Sequence, residues 1–290
     1  MSAFEIFKLH PEFFIVSIGL LGLIIGSFLN VVIYRLPIMM EHSWRKECHE
    51  FLKLEHKQET TTPFNLSVPR SCCPCCKAPI RAHQNIPIIS YLLLKGQCSQ
   101  CKQPISVRYP LVELLTGLCS AMIAWHFGFT IDTLFALLLT WSLIALSGID
   151  IDHQLLPDTI TLPMLWLGLF LSLFNVFIDS HASIIGAVSG YLSLWIVYQL
   201  FKLTTGKEGM GFGDFKLLAL LGAWMGWEYI PVIVLLSSLV GAVVGIAMMI
   251  LVKHDRNIPI PFGPYLATAG WIALIWGNEI NQLYLEQAGF

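Results

Sequence analysis

Two short polar stretches of this sequence place carboxylates directly beside long apolar segments. Residues 148–158 contain Asp150, and residues 209–216 contain Asp214. Charged groups next to a bilayer are unfavourable and are kept mainly where they function. If both carboxyl groups converge in one small site, they cannot easily both ionise and therefore share a proton. One can then take a proton from water while the other protonates an amide carbonyl oxygen, which is the chemistry of aspartic peptide hydrolysis.

The aspartates also allow simpler interpretations. Asp214 would cap the helix that follows it, and Asp158 would do so before the apolar run that begins at residue 159. Asp152 would be a solvated loop charge. By contrast, Gly211 and Gly213 favour a substrate-binding loop, because glycine lets a peptide backbone approach closely and permits unusual dihedral angles.

Intramembrane carboxylates also serve proton-coupled transport, which is the alternative function. A transporter predicts carboxylates at mid-membrane depth in broken helices, whereas these lie at the ends of apolar segments. A purely structural scaffold would leave Asp150 and the glycine-rich loop before Asp214 without a purpose. The spacing of the carboxylates alone leaves helix capping, transport and a catalytic pair of Asp150 and Asp214 open.

Cysteine spacing indicates a second chemical site. Two C-x2-C pairs, Cys73 with Cys76 and Cys98 with Cys101, are separated by residues 77–97, a spacing close to that of zinc ribbons. Each pair makes a tight turn that points two sulfurs at one ion. Four thiolates complete a tetrahedron, and such a closed site is structural rather than catalytic.

The register of the first pair is ambiguous, because Cys72 and Cys75 also have C-x2-C spacing. The pair Cys73 and Cys76 is preferred, since Pro74 then follows the first ligand. Unligated thiols are the other interpretation, because seven of the eight cysteines lie in a segment whose charge, described below, predicts a reducing cytoplasmic location.

Apolar blocks dominate the remaining sequence and would position these groups in a membrane. Of 290 residues, 56% are hydrophobic and only 12% are charged, about half the charged fraction of a soluble domain. Windows near the length of a spanning helix fall at residues 13–34, 109–127, 131–149, 159–178, 182–202, 214–227, 229–252 and 262–278. The sequence predicts an all-α polytopic membrane protein with eight transmembrane helices. The first block is too long for a cleaved signal peptide and is interpreted as a retained span.

Charge distribution predicts the orientation. Residues 35–108 hold 11 of the 17 Lys and Arg residues, and basic residues collect in cytoplasmic loops. With that segment inside, every basic residue except Lys8 fits one topology, in which both termini are periplasmic and both aspartate motifs are cytoplasmic. The predicted parts are a first transmembrane helix (1–34), a cytoplasmic Cys-rich domain (35–108) and a transmembrane peptidase domain (109–290).

Several short motifs, taken in their order along the chain, resemble those of the type IV prepilin peptidases. They are residues 26–37 (GSFLNVVIYRLP), the paired C-x2-C loop, residues 85–87 (NIP), residues 108–113 (RYPLVE), Asp150 ahead of Leu156-Pro157-Asp158, Gly211-x-Gly213-Asp214, and residues 261–265 (PFGPY). The resemblance spans approximately residues 17–270. It departs from the family pattern at residues 72–76 (CCPCC), which hold more cysteines than the usual pair.

The resemblance implies that Asp150 and Asp214 are the catalytic aspartates, and that Asp152 and Asp158 are not. It implies removal of leader peptides from the prepilins and pseudopilins of type IV pili and type II secretion. Cleavage would follow a glycine, at the cytoplasmic face of the bacterial inner membrane. It further implies N-methylation of the new terminal residue with S-adenosylmethionine, since the cysteine loop is a feature of the longer, bifunctional members.

The resemblance also favours one cysteine register, which makes Cys73, Cys76, Cys98 and Cys101 the expected ligands of a structural Zn²⁺. The expected partners are prepilin and pseudopilin precursors and the lipid bilayer, and no nucleic acid is expected. The sequence contains no Gly-x-Gly-x-x-Gly after a strand, so it predicts no Rossmann-type site for the methyl donor.

Overall fold

The computed structural model describes residue 7 and residues 10–53, 64–251 and 260–288. Most of these residues are helical, and the described ranges contain two isolated bridges but no sheet. The α-helices are α1 (Pro11–Phe51), α2 (Ile89–Leu93), α3 (Arg108–Phe127), α4 (Ile131–His153), α5 (Asp158–Ser172), α6 (Ser180–Thr205), α7 (Phe212–Met225), α8 (Ile230–Leu251) and α9 (Gly263–Ala288). This architecture confirms the predicted all-α fold class.

Each of the eight predicted spans overlaps one of these helices. Among the described residues, five helices are long and apolar enough to cross a membrane: α1, α3, α4, α6 and the stretch Trp227–Ile250, which includes most of α8. Helices α5 and α7 have 15 and 14 residues. At about 1.5 Å per residue they are shorter than a hydrocarbon layer of roughly 30 Å. The chain is a multi-pass membrane protein, and the count of eight spans remains a prediction.

Helix α1 is longer than its apolar window, which ends at residue 34. It continues to Phe51 and carries exposed ion pairs four residues apart, between Glu41 and Arg45 and between Lys46 and Glu50. Such pairs stabilise a helix in water. Helix formation therefore does not stop where the apolar residues stop.

Packing divides the chain into two units, Met1–Leu137 and Leu138–Phe290. The three parts predicted from the sequence, with boundaries after residues 34 and 108, remain a prediction. Lys8, the one basic residue that the predicted topology leaves outside, lies beyond the described residues. The predicted cysteine site belongs to the first unit and the two aspartates to the second.

In the first unit, small residues let α1 and α3 pack closely. An ideal Cβ on Gly22 would lie 2.9 Å from the Cα of Gly117, and one on Gly26 would lie 2.7 Å from the Cα of Glu113. Larger side chains at these glycines would separate the helices. The carboxylate of Glu113 accepts a hydrogen bond from the N–H of Ile88 at 2.8 Å, which anchors the chain just before α2.

In the second unit, α7 is buried along almost its whole length. It packs against α6 at Gly222, where an ideal Cβ would lie 2.1 Å from the carbonyl oxygen of Gly186. It is joined to α5 by Trp224, whose Nε1 donates a hydrogen bond to the carbonyl oxygen of Met164 at 2.8 Å. A helix that is apolar on nearly every side is surrounded by protein or by lipid, and here neighbouring helices cover it. These contacts fix the position of α7, and thereby the position of Asp214 near its N-terminus.

Candidate active site

Asp150 and Asp214 are both buried at the ends of helices in the second unit. Asp150 lies in the last turn of α4 and is 6% exposed, and Asp214 is the third residue of α7 and is 8% exposed. Carboxylates are almost never buried this completely unless they are paired. The two side chains therefore require partners, and Asp150 has one at this site.

Gly263 holds the carboxylate of Asp150. Its N–H donates a hydrogen bond to Asp150 Oδ2 at 3.0 Å, and it is the first residue of α9. The first N–H groups of a helix have no partner within the helix and favour an anionic acceptor. An ideal Cβ on Gly263 would lie 2.7 Å from the same carboxylate oxygen, so a larger residue would displace Asp150.

Leu156 connects the surroundings of the two aspartates. Its Cβ would lie 2.9 Å from an ideal Cβ on Gly213, the neighbour of Asp214, and its Cδ2 would lie 3.1 Å from one on Gly263. Gly263, which holds Asp150, and Gly213, which precedes Asp214, thus adjoin the same leucine side chain. That Asp150 and Asp214 form a catalytic pair remains a prediction.

Such a pair can hydrolyse a peptide bond without another acid or base. Two neighbouring carboxyl groups that share one proton supply a base and an acid in the same site. Burial excludes water and lowers the local dielectric constant, which strengthens every charge interaction between the pair and a bound substrate. A pair of this kind would be suited to general acid–base catalysis on a carbonyl group.

The cysteine cluster lies in the first unit. One sulfur from each of four residues lies within 4.8 Å of the others: Cys73, Cys76, Cys98 and Cys101. The sulfurs of Cys73 and Cys101 lie 3.7 Å apart. The alternative cysteines Cys72 and Cys75 are exposed and do not belong to this group.

Each C-x2-C turn also favours a thiolate at its first cysteine. The backbone N–H groups three and two residues further along the chain point at that sulfur. They lower the pKa of Cys73 below its ordinary value and lower the pKa of Cys98 to about 6. Thiolates are the form that binds a metal ion.

Comparison with known proteins decides the family. Residues 20–127 match the bacterial peptidase A24 N-terminal domain, and residues 137–246 match the type IV leader peptidase family. The chain is 57% identical to a prepilin leader peptidase/N-methyltransferase of Pseudomonas aeruginosa over 281 residues, which cover 97% of each chain. The chain belongs to the type IV leader peptidase family.

Two other relatives with the same name have similar sequence identity to this chain. One from Stutzerimonas stutzeri is 55% identical, with 99% of each chain covered, and one from Aeromonas hydrophila is 54% identical, with 95% of each chain covered. No solved structure matches the chain. The family resemblance predicted from the motifs is confirmed over nearly the full length.

The Gly-x-Gly-Asp motif of this leader peptidase has ordinary backbone geometry. Gly211 precedes α7 with a φ of −80°, Gly213 lies within the helix, and neither is among the described glycines with positive φ. Neither glycine uses the unusual dihedral angles that its lack of a side chain would permit. Gly213 is small because Leu156 packs against it, whereas an ideal Cβ on Gly211 would lie 3.9 Å from the nearest atom, Asp214 Oδ2. A role of the two glycines in substrate binding stays a prediction.

The capping interpretations of the aspartates are also wrong. Asp158 begins α5 without a side-chain capping bond, and both of its carboxylate oxygens lie 2.7 Å from Lys216 Nζ. Asp214 lies inside α7, and Gly211 occupies the capping position. Asp152 is exposed in the last turn of α4 rather than in a loop.

Three residues that shape this site have no role that the sequence alone predicts: Gly263, Leu156 and Lys216. The motif at residues 261–265 was recognised by resemblance, but no local pattern relates Gly263 to a carboxylate 113 residues earlier. Leu156 was part of a recognised motif as well. Gly263 and Leu156 thus lie in motifs that the resemblance includes, but only the folded chain shows which atoms each residue contacts.

Proposed function

We propose that this protein is a membrane aspartic endopeptidase that removes leader peptides from type IV prepilins and pseudopilins, cleaving after a glycine. The buried pair of Asp150 and Asp214, held beside Gly263 and Leu156, carries the proposal. The name shared by the relatives, prepilin leader peptidase/N-methyltransferase, supports the substrate class. Membership of a peptidase family gives no support to the alternative of a proton-coupled transporter.

In this mechanism one carboxyl group is ionised and the other holds the shared proton when the substrate arrives. The ionised group takes a proton from water, whose oxygen attacks the scissile carbonyl carbon, while the other group protonates the carbonyl oxygen. The tetrahedral intermediate then breaks its C–N bond, and a proton passes to the leaving amine. Gly263 orients Asp150 throughout, because its N–H fixes one carboxylate oxygen.

Charge supports a cytoplasmic active site at the bacterial inner membrane, with both termini periplasmic. Residues 35–108 contain 11 of the 17 Lys and Arg residues, and the positive-inside rule assigns such a segment to the cytoplasm. Alternation of the spans then brings Asp150 and Asp214 to the same face. A basic leader is attracted to acidic groups at short range, and the apolar stem of the prepilin would lie among the helices.

We further propose that the protein methylates the new terminal amine with S-adenosylmethionine. The N-methyltransferase activity named in the relatives, and the match of residues 20–127 to the bacterial N-terminal domain, support this second activity. In this reaction the methyl group leaves the sulfonium sulfur for the amine nitrogen, which loses a proton. The chain has no dinucleotide-type glycine motif after a strand, so the donor would bind in another manner.

Mass spectrometry of a prepilin incubated with the purified protein and S-adenosylmethionine tests both activities. The expected product lacks the leader, begins at the residue after the glycine, and carries one additional methyl group. Without the methyl donor, the product should be cleaved and unmethylated. An intact prepilin would overturn the peptidase, and a cleaved but unmethylated product in the presence of donor would overturn the methyltransferase.

The cysteine cluster fits a structural zinc ion. Tetrahedral Zn²⁺ with sulfur ligands at about 2.3 Å places those sulfurs about 3.8 Å apart, and the sulfurs of Cys73 and Cys101 are 3.7 Å apart. Cys76 and Cys98 supply the other two ligands within the same 4.8 Å cluster. A closed shell of four thiolates has no place for a substrate, so the ion would stabilise the cysteine loop.

Replacing a single ligand tests the metal and its register together. Cys76→Ser should lower the zinc content from about one ion per chain to nearly none, because three thiolates hold zinc much more weakly than four. Cys75→Ser is the matched control, since Cys75 is exposed and lies outside the four-sulfur cluster. Elemental analysis of both variants gives the answer. Zinc retained by Cys76→Ser and lost by Cys75→Ser would mean that the register is wrong.

A further inference from the structure

An ion pair joins the two chain segments that carry the catalytic aspartates. Asp158 is the first residue of α5, and Lys216 is the fifth residue of α7. Lys216 Nζ donates to both carboxylate oxygens of Asp158 at 2.7 Å. The Lys216 side chain is 31% exposed and that of Asp158 is 50% exposed, so the pair lies at the margin of the buried site.

The position of this pair along the chain distinguishes it from an ordinary surface contact. Asp150 and Asp158 flank the short connection between α4 and α5, while Asp214 and Lys216 are separated by one residue of α7. Leu156, within the connection, packs against Gly213 of α7. The two segments therefore meet twice beside the aspartates: at Leu156 and at the ion pair.

The connection between α4 and α5 depends on such contacts for its position. Residues 154–157 are not helical, and Gln154 has a φ of 52°, a conformation that side chains rarely adopt without support from their surroundings. The two aspartates at the site would repel one another whenever both ionise. A displacement of about 1 Å at a catalytic group is enough to reduce the rate on the order of 10²-fold.

We propose, on the basis of the proposed peptidase function, that Lys216 is a positioning residue that holds Asp158, and with it the segment from Asp150 to Asp158, against α7. It keeps the two catalytic carboxyl groups at the separation that lets them share a proton. Lys216 does not itself contact the reacting atoms. The ion pair thereby links two segments whose charged residues are 58 positions apart in the sequence.

Steady-state cleavage of a prepilin by the full-length protein tests this role. Lys216→Met and Asp158→Asn should each lower kcat by about tenfold or more, with KM changed by less than about threefold, because the site is misaligned while the binding surface is kept. The double variant should be no slower than either single variant, since both remove one interaction. The charge-reversed pair Asp158→Lys with Lys216→Asp should recover kcat to within about threefold of the native value.

Two controls separate positioning from general damage. Lys46→Met removes an exposed ion pair with Glu50 in the other unit and should leave kcat unchanged. Methylation of a synthetic, already cleaved pilin should persist in Lys216→Met, because that reaction does not use the aspartate pair. If Lys216→Met does not fold, Lys216→Arg and the charge-reversed pair provide the test, and both should cleave at nearly native rates.

The outcomes are distinguishable. If the native protein does not cleave a prepilin, the proposed function fails and this inference fails with it. If the native protein cleaves but Lys216→Met keeps its kcat within about twofold, only the positioning role is overturned. A charge-reversed pair that folds, methylates and remains as slow as the single variants would overturn it as well.

Discussion

Asp150→Asn and Asp214→Asn should each reduce prepilin cleavage by about 10³-fold or more, because each removes one partner of the acid–base pair. Asparagine has nearly the same shape as aspartate but cannot exchange a proton at neutral pH. In Asp150→Asn, the side-chain oxygen can still accept the N–H of Gly263, so the fold should be kept. The measurement is single-turnover cleavage of a prepilin by protein in detergent or in liposomes.

The matched control for these substitutions is Asp152→Asn, which makes the same chemical change at an exposed position in the same turn of α4. It should cleave at the native rate. Both catalytic variants should still methylate an already cleaved pilin, which would show that they are folded and inserted. Substantial cleavage by Asp150→Asn or Asp214→Asn would remove that residue from the mechanism.

The helices could be predicted from the sequence because their signal is local. Each apolar window near the length of a span corresponds to a helix, since a lipid solvent requires backbone hydrogen bonds to be satisfied within the segment. The extension of α1 to Phe51 was missed because its polar part has no apolar signal, although its pairs four residues apart do favour a helix.

The pairing of Asp150 and Asp214 could be proposed from the sequence because both residues lie at the ends of apolar segments and within motifs that resemble those of the prepilin peptidases. The contacts that orient the two carboxylates could not be predicted from the sequence. The contact from Gly263 to Asp150 spans 113 residues, and that from Lys216 to Asp158 spans 58. Neither contact has a periodic signature, so each depends on how separate helices pack.

The capping predictions failed for a related physical reason. An aspartate at the start of a helix satisfies either the backbone or a nearby cation, and local sequence cannot decide between them. At Asp158 a lysine from another helix provides the stronger, charged donor. A contact from outside its own helix also explains Gly213: Leu156, in the connection between α4 and α5, packs on it and leaves no room for a larger residue, while its dihedral angles do not require glycine.

Gly263→Ala should reduce kcat on the order of 10²-fold, which is the second large effect expected at this site. The added methyl group would lie 2.7 Å from Asp150 Oδ2 and 3.1 Å from Leu156 Cδ2. The first distance is too short for a non-bonded contact and the second is tight, so the carboxylate must move away from the N–H that orients it. Because the substituted residue is at the start of α9, the substitution adds no helix-breaking effect of its own.

Gly245→Ala is the matched control, because an ideal Cβ there would lie 3.4 Å from the nearest atom, the Cδ1 of Ile260. It should keep native kcat and thermal stability. Misplacement of Asp150 also predicts that Asp150→Asn with Gly263→Ala cleaves no more slowly than Asp150→Asn alone, since both changes disable the same carboxyl group. A Gly263→Ala protein with native kcat would show that this N–H does not orient the pair. A further loss in the double variant would mean that Gly263 acts on the reaction through some group other than Asp150.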